Sequence, residues 1–312
     1  MDEVGIPFAE INRSASGLTV KWLGVTTLLI DDGSTQIMTD GFISRPNIKD
    51  IMFFRPIEPD LEAIERAINS HQIDRLAAIM PVHSHYDHSI DSAEIARMTN
   101  ADLLGSMSTI NIARSSFLSE KQIKTIDVGK SYSYGNFLIT FLESTHAPLI
   151  TNFLIEGSVE KPFDIPKPFS AWKEGKTYTV YIEHPEGSIL VQASAGFIPG
   201  MLDNLEADVV FLGTGGLKQL STDYISNYVL EVVHAVSAGT VYVIHHDNMF
   251  GKFGETKQSR IAPSFGEIEA FSLKQMVMPA QLRQPLFGEP IKIDAQHNTK
   301  KKSFNLARHV EP

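Results

Sequence analysis

Three histidines and one aspartate lie within six positions of one another, in the stretch His83-Ser84-His85-Tyr86-Asp87-His88. A mainly apolar run at residues 77–82, typical of a buried strand, leads into this stretch. Neutral imidazole is the commonest transition-metal ligand in proteins, and a nearby carboxylate balances the charge of the ion. The spacing therefore predicts a metal site at the end of a strand.

Further histidines follow two later stretches that are typical of strands. His146 comes shortly after one of them, and His245 with His246 comes directly after the other. Because strand ends gather at one edge of an α/β sheet, where ligand sites form, these histidines are predicted to complete the metal site. His184 also ends a predicted strand, but the turn that follows it indicates the opposite edge, so we interpret it as structural.

Composition narrows the class of protein. The 312 residues are 43% hydrophobic and 21% charged, which is typical of an ordinary globular protein. The formal net charge of −10 argues against a nucleic-acid binder, whose phosphate partners require a basic face. There is no cysteine, so a metal must be bound by His, Asp, Glu and water. No apolar run is long enough to span a membrane and no secretory signal is seen, so we predict a cytoplasmic protein.

Strands and helices alternate in a pattern that places these residues. The predicted strands cover residues 18–24, 26–31, 35–40, 77–82, 101–105, 124–128, 131–134, 137–142, 177–184, 188–192, 207–213, 240–244 and 286–293. The predicted helices cover residues 61–70, 91–98, 106–117, 223–238 and 266–276, and residues 46–59 are predicted to be irregular. The elements form two similar halves, which predicts an α/β protein with two sheets packed face to face and helices on the outer faces.

The chain is predicted to form one domain over residues 17–295, between an N-terminal extension at 1–16 and a C-terminal tail at 296–312. Residues 148–176 interrupt this domain with prolines and aromatic residues but no regular period. Loops of this length are uncommon and are usually functional or mobile. We therefore interpret the segment either as a surface excursion or as an apolar lid or wall beside the metal site.

The His-x-His-x-Asp-His run, followed by single histidines after later strands, resembles the metallo-β-lactamase superfamily, as does the meander that ends in Thr39-Asp40-Gly41. The resemblance covers residues 17–250 and implies an αββα sandwich with one or two metals at one edge. By position, the ligands of the first metal are His83, His85 and His146, and those of the second are Asp87, His88 and His245. The resemblance also implies that Asp40 orients a ligand from behind.

One position departs from the pattern of the superfamily. Where an aspartate usually bridges the two metals, this chain reads Gln192-Ala193-Ser194, so Ser194 takes the expected place. Loss of that carboxylate removes a ligand and a negative charge, so the second metal should bind more weakly. If both metals do bind, the extra positive charge would suit an anionic substrate. The sequence is compatible with a centre of one metal ion and with a centre of two.

The expected chemistry is hydrolysis by metal-activated water, because a bound metal lowers the pKa of water toward neutrality. Asp87 is expected to orient this water, or to accept its proton if the second site is empty. His246 and Asp247 are close enough in sequence to the ligands to contact the substrate or to protonate the leaving group. The alternative for His246 is a supporting hydrogen bond behind the ligands.

The His-x-His-Tyr-Asp-His form looks closest to the branch with lactonases acting on sugar phosphates and N-acyl phosphatidylethanolamine-type phospholipases D. This resemblance implies an ester, lactone or phosphodiester bond in a small-molecule or lipid-like substrate, and one or two divalent ions, with zinc first and manganese or iron as alternatives. Two other hypotheses stay open: a catalytically silent metal-binding scaffold, and an iron-dependent oxidoreductase. Nothing in the sequence indicates the oligomeric state.

Overall fold

The computed structural model describes residues 5–11, 13, 16–258 and 266–295. The strands of this part, in chain order, are β1 (Thr19–Trp22), β2 (Leu28–Asp31), β3 (Gln36–Thr39), β4 (Pro56–Ile57), β5 (Leu76–Met80), β6 (Asp102–Gly105), β7 (Ile123–Thr125), β8 (Ser131–Tyr134), β9 (Phe137–Ser144), β10 (Lys167–Pro168), β11 (Thr177–His184), β12 (Gly187–Gln192), β13 (Val209–Gly213), β14 (Thr240–Ile244), β15 (Gln281–Arg283) and β16 (Pro290–Lys292). The helices are α1 (Ile48–Met52), α2 (Leu61–His71), α3 (Tyr86–Ser89), α4 (Ser92–Thr99), α5 (Met107–Ser115), α6 (Thr222–Val229) and α7 (Glu267–Met276).

Two seven-stranded mixed sheets form the body of the protein. The first has the order β16-β1-β2-β3-β5-β6-β7, and the second has the order β15-β14-β13-β12-β11-β9-β8. In the first sheet β3, β5, β6 and β7 are parallel, and in the second β12 to β15 are parallel. The candidate ligands lie in the segments that follow β5, β9 and β14.

The sheets pack face to face because each strand presents alternate side chains to opposite faces. In β2, Leu28 and Ile30 join the core between the sheets, whereas Leu29 between them joins the layer beneath helices. The outer layer of the first sheet is covered by α2, α4 and α5, and that of the second by α6 and α7. Each fully buried aliphatic side chain of this kind contributes about 1.5–3 kcal/mol. The predicted αββα sandwich is confirmed.

Several local features differ from the sequence predictions. The stretch predicted to be irregular contains α1, because the Asn47 side chain accepts a hydrogen bond from the amide of Lys49 and starts a helical turn. The long helix predicted at 223–238 is instead α6 followed by π-helical turns at Leu230–His234. The strand predicted at 286–293 is only β16, and the short edge strand β15 was not predicted. Helix α2 begins as expected, with Asp60 accepting from the amide of Ala63.

The 148–176 segment lies against the loop that carries the first histidines. It forms short 3-10 helices at Ile150–Leu154 and Phe169–Ala171, and its strand β10 pairs with β4. Its side chains Phe169 and Trp172 share an apolar cluster with Phe42 and Tyr86. A role as a lid stays a prediction, as do the domain limits at 17 and 295; the tail at 296–312 lies outside the described residues.

None of the helices in the described ranges is long and apolar enough to cross a membrane.

Candidate metal centre

The six candidate ligands meet at one edge of the sandwich in two groups of three. Strand β5 ends at Met80, and the chain then passes through His83 and His85 into the single helical turn of α3. The first cluster is His83, His85 and His146, and the second cluster is Asp87, His88 and His245. Within each cluster the ligand atoms all lie within 4.8 Å of one another. This is the grouping that the resemblance implied, and metal binding by these residues stays a prediction.

Neutral partners surround the first cluster. The ring nitrogens His83 Nε2 and His85 Nδ1 are 2.9 Å apart, and Ser194 Oγ lies 2.9 Å from His83 Nδ1. His146 Nδ1 is 3.0 Å from the carbonyl oxygen of Ala147. Burial, followed by the other imidazoles, lowers the pKa of His83 well below its ordinary value, and burial lowers that of His85 to about 3. These imidazoles are therefore neutral near pH 7, the form in which they bind metals.

Carboxylates surround the second cluster. Asp87 Oδ2 lies 3.5 Å from His88 Nε2 and 3.4 Å from His245 Nε2. Burial alone would raise the pKa of Asp87, but His88 and His245 hold it below its ordinary value. Burial alone would lower the pKa of His88, but Asp40 and Asp87 outweigh it and raise that pKa. The second cluster therefore contains a fixed negative charge that the first lacks.

Asp40 and Thr26 hold His88 from behind. Asp40 Oδ2 and Thr26 Oγ1 each lie 3.0 Å from His88 Nδ1, which leaves Nε2 facing the cluster. The other carboxylate oxygen of Asp40 accepts a hydrogen bond from the amide of Val82, and this contact fixes its orientation. Asp40 thus lies where the resemblance implied.

Asp247 and His246 lie beside the clusters. Asp247 accepts a hydrogen bond from the amide of Val25 and contacts Arg45. The ring of His246 stacks on Trp22 with centroids 5.0 Å apart, and only 3% of the residue is exposed. This stacking favours a supporting role behind the ligands for His246 over contact with the substrate. A catalytic role for His246 stays a prediction.

Four residues at this edge have left-handed backbone conformations. None of the four is at the end of a helix, where such conformations are ordinary. Val25, Asp40, Ala195 and His245 have φ values of 47°, 59°, 53° and 60°. For side chains other than glycine this conformation costs roughly 1–3 kcal/mol and is concentrated at functional sites. Since β-branched residues adopt it least readily, Val25 is the clearest outlier. The strain supports a functional site here independently of the histidines.

Two residues of this edge were not singled out by sequence reasoning. Thr26 contacts His88, 62 positions away, and Arg45 contacts Asp247, 202 positions away. No local pattern marks either residue, because each contacts a partner that is distant in the sequence. Tyr86 lies within the histidine run, but its spacing did not indicate a functional role of its own.

The donor sets suit transition metals. Three neutral imidazoles with room for water form the ligand set of catalytic zinc sites. Two histidines with one carboxylate form a set that also binds non-haem iron. Each ligand in the second cluster is held by a hydrogen-bonded neighbour or by the packing of buried loops, as metal-binding side chains require. The residues therefore fit one or two divalent ions.

Comparison with known proteins identifies the fold. No family model matches the chain. A UPF0173 metal-dependent hydrolase from Pyrobaculum aerophilum is 25% identical over 120 residues, which is 38% of this chain and 46% of that protein. The alignment thus spans less than half of the relative.

Two solved structures resemble the chain over most of its length. CmlA, a diiron β-hydroxylase from Streptomyces venezuelae, has a TM-score of 0.57 and 14% identity over 89% of this chain and 55% of that chain. The metallo-β-lactamase fold protein YhfI from Bacillus subtilis has a TM-score of 0.50 and 12% identity over 88% of this chain and 98% of that chain. The protein has the metallo-β-lactamase fold.

Proposed function

We propose that this protein is a metal-dependent hydrolase that uses metal-activated water to cleave an ester, lactone or phosphodiester bond. The observation that carries the proposal is the meeting of two three-ligand clusters at one edge of the sandwich. The partial relative named as a metal-dependent hydrolase supports the same class. A branch that acts on lactones or lipid-like phosphodiesters, with a small-molecule or lipid-like substrate, is the narrower form of this proposal.

One or two divalent ions, zinc first, would be held by the first cluster and the second cluster, where the ion lowers the pKa of bound water and polarises the scissile bond. The residues of the chain prepare this step. Asp87 stays ionised beside His88 and His245, so it can orient water or accept a proton. Asp40 and Ser194 hold ring nitrogens of His88 and His83, which fixes the direction of the opposite nitrogens.

An iron-dependent oxidoreductase is the second candidate. The aspartate and two histidines of the second cluster form the ligand set that non-haem iron prefers, and the structural neighbour CmlA is a diiron hydroxylase. The hydrolase is favoured because the partial relative is named as a metal-dependent hydrolase. A scaffold without catalysis is the third alternative.

Metal analysis with a substrate screen tests these proposals. Protein purified without added metal is assayed for bound zinc, manganese and iron, then screened against esters, lactones and phosphodiesters with each metal supplied. We expect one or two equivalents of zinc or manganese and turnover that the substitution His85→Ala abolishes. Stoichiometric iron with oxygen-dependent turnover would favour the oxidoreductase. Bound metal without any turnover, or hydrolysis that His85→Ala leaves intact, would contradict the hydrolase.

A further inference from the structure

Arg45 lies in a rigid loop next to the second cluster. The loop leaves β3 at Asp40, and the amides of Ile43 and Ser44 both donate to the buried carboxylate of Asp91, at 2.7 and 2.6 Å. The amide of Phe42 donates to Thr27 Oγ1. Because these backbone contacts fix the loop, the position of the Arg45 side chain is set before any ligand binds.

The guanidinium group of Arg45 is buried but incompletely paired. Its side chain is 6% exposed, and Nη1 contacts Asp247 Oδ2 at 3.3 Å. The guanidinium carbon lies 4.7 Å from the centre of the Phe42 ring. Nε is buried and has no hydrogen-bond partner among the described residues. Arginine presents five N–H donors in a planar fork, so a single long contact to one carboxylate leaves most of them unused.

The neighbouring turn at Gly24 holds the guanidinium group of Arg45 in place next to the candidate ligands. Gly24 has a φ of +92°, and a Cβ there would lie 2.3 Å from Arg45 Nη2. The loop that contains Gly24 continues to Thr26, whose hydroxyl contacts His88 of the second cluster. The carbonyl oxygen of Val25 accepts from the amide of His245. Arg45 therefore packs against the short turn that also contacts two candidate metal ligands.

Tyr86 packs against the same aromatic ring as Arg45. Its ring packs edge-on against Phe42 and against Phe169, with centroids 5.9 Å apart in both pairs. Only 5% of the residue is exposed. The Phe42 ring thus contacts both Arg45 and Tyr86. This shared contact places a guanidinium group and a phenol near each other beside the second cluster, and polar groups of these kinds fix the orientation of ligands in binding sites.

We propose that Arg45 binds an oxyanion of the substrate, a carboxylate or a phosphate, next to the second cluster, with the Tyr86 hydroxyl as an additional donor. Arginine matches the two oxygens of either group with parallel N–H bonds, which a lysine cannot do. The aromatic cluster of Phe42, Tyr86 and Phe169 would contact the apolar part of the same molecule. The proposal rests on the proposed function, because it assigns the anion to the substrate of the same centre.

Direct binding of small anions tests the proposal without catalysis. Phenyl phosphate and benzoate are titrated calorimetrically into the metal-depleted and the zinc-loaded protein. We expect the wild type to bind at least one of them in both forms, and the preferred one distinguishes phosphate from carboxylate. The substitution Arg45→Met should weaken this binding by at least about tenfold, and Arg45→Lys should weaken it less, because a lysine retains the charge but not the fork.

Arg75→Met is the matched control. Arg75 also pairs with an aspartate, Asp31, at 2.9 Å, but it lies before β5 at the opposite edge of the sheet. This variant should bind the anions as the wild type does. Thermal unfolding of all variants identifies any that fail to fold; if Arg45→Met does, Arg45→Lys decides the result.

Two outcomes overturn the anion site. One is wild-type binding that neither Arg45 variant changes, and the other is no binding of either anion in either form. Metal content and hydrolysis are measured on the same samples, so an intact hydrolase without Arg45-dependent binding refutes only this inference. A wild type that binds no metal refutes the proposed function, whatever the anion titration shows.

Discussion

The first cluster and the second cluster have the same number of ligands but differ in charge. Around the first cluster the hydrogen-bonding neighbours are all neutral: Ser194 Oγ, Asn152 Nδ2, Ala147 O and Ile155 O. The second cluster contains Asp87 and is backed by Asp40. The two clusters therefore lie side by side but differ in charge, since the first is neutral and the second is anionic.

This difference shows how charge balance is divided at the centre. A divalent ion in the first cluster would meet no opposing charge from its own ligands, so it would act as a strong Lewis acid. An ion in the second cluster would be neutralised by two carboxylates and would be held firmly. Ser194, at the position where an aspartate was expected, is the residue that keeps the two environments distinct.

Removal of one ligand from each cluster should give the largest effect. His83→Ala and His245→Ala should each lose about one equivalent of metal if both clusters are filled, and hydrolysis should fall by more than about 100-fold, since loss of supporting residues alone costs 10–100-fold. Elemental analysis and turnover measure both. Loss of all metal in both variants would show that the clusters act as one site and would break the comparison.

Removal of the supporting contacts should give a smaller, unequal effect. Asp40→Asn takes a charge from behind His88 and should weaken metal affinity about 10–100-fold. Ser194→Ala takes only a neutral contact from His83 and should weaken it less. Affinities are measured by competition with a chelator, and circular dichroism verifies folding. Equal losses in the two variants would contradict the charge difference between the clusters.

Addition of a carboxylate to the first cluster should make the sites more alike. Ser194→Asp should tighten metal binding by about tenfold, because it places a negative charge beside His83. Ser194→Asn, of the same size but neutral, is the control in the same chelator competition. If the aspartate and asparagine variants bind metal equally, Ser194 does not face the centre.

The loop behind the second cluster should show its effect in folding rather than in metal binding, as a dependence of stability on pH. Burial raises the pKa of Asp91 from 3.8 to about 6, although the amides of Ile43 and Ser44 oppose the shift. The native state thus binds a proton more tightly than the unfolded state, so this group's contribution to stability falls as pH rises from about 4 to 6 and is constant above.

Asp91→Asn removes that decline. Compared with the wild type, its free energy of unfolding should improve between pH 4 and 6 by at most about 3 kcal/mol, or about 1.4 kcal/mol for each pKa unit. Urea denaturation across this range measures the difference. Parallel pH profiles for the two proteins would contradict the prediction. They would show that the Asp91 carboxyl group has an ordinary pKa in the native state and that its ionisation does not destabilise the loop.

The fold and the ligand grouping could be predicted because their signals are local. His83, His85, Asp87 and His88 lie within six positions, and each later histidine follows a stretch with strand character. Strand alternation is similarly short-range. The resemblance to a known superfamily then supplied the pairing of ligands that spacing alone left open.

The remaining features depend on packing between distant parts of the chain. Arg45 and Thr26 acquire their positions from partners that follow much later in the sequence. The short helix α1 lies among prolines that indicate irregular structure, and the π-helical turns after α6 continue an apolar pattern that fits an α-helix equally well. Tertiary contacts position Arg45 and Thr26, whereas α1 depends on the local cap at Asn47, which the surrounding prolines outweighed in the sequence prediction.

The face-to-face packing of the two sheets has a further consequence for the candidate ligands. His83, His85, Asp87 and His88 follow strand β5 of the first sheet, whereas His146 and His245 follow β9 and β14 of the second. Each half of the chain alone therefore holds an incomplete ligand set. A bound ion would be coordinated by both halves and would therefore stabilise their association. Its removal by a chelator would remove that contribution to the free energy of association. Two separately produced halves would then recombine more tightly when metal is present.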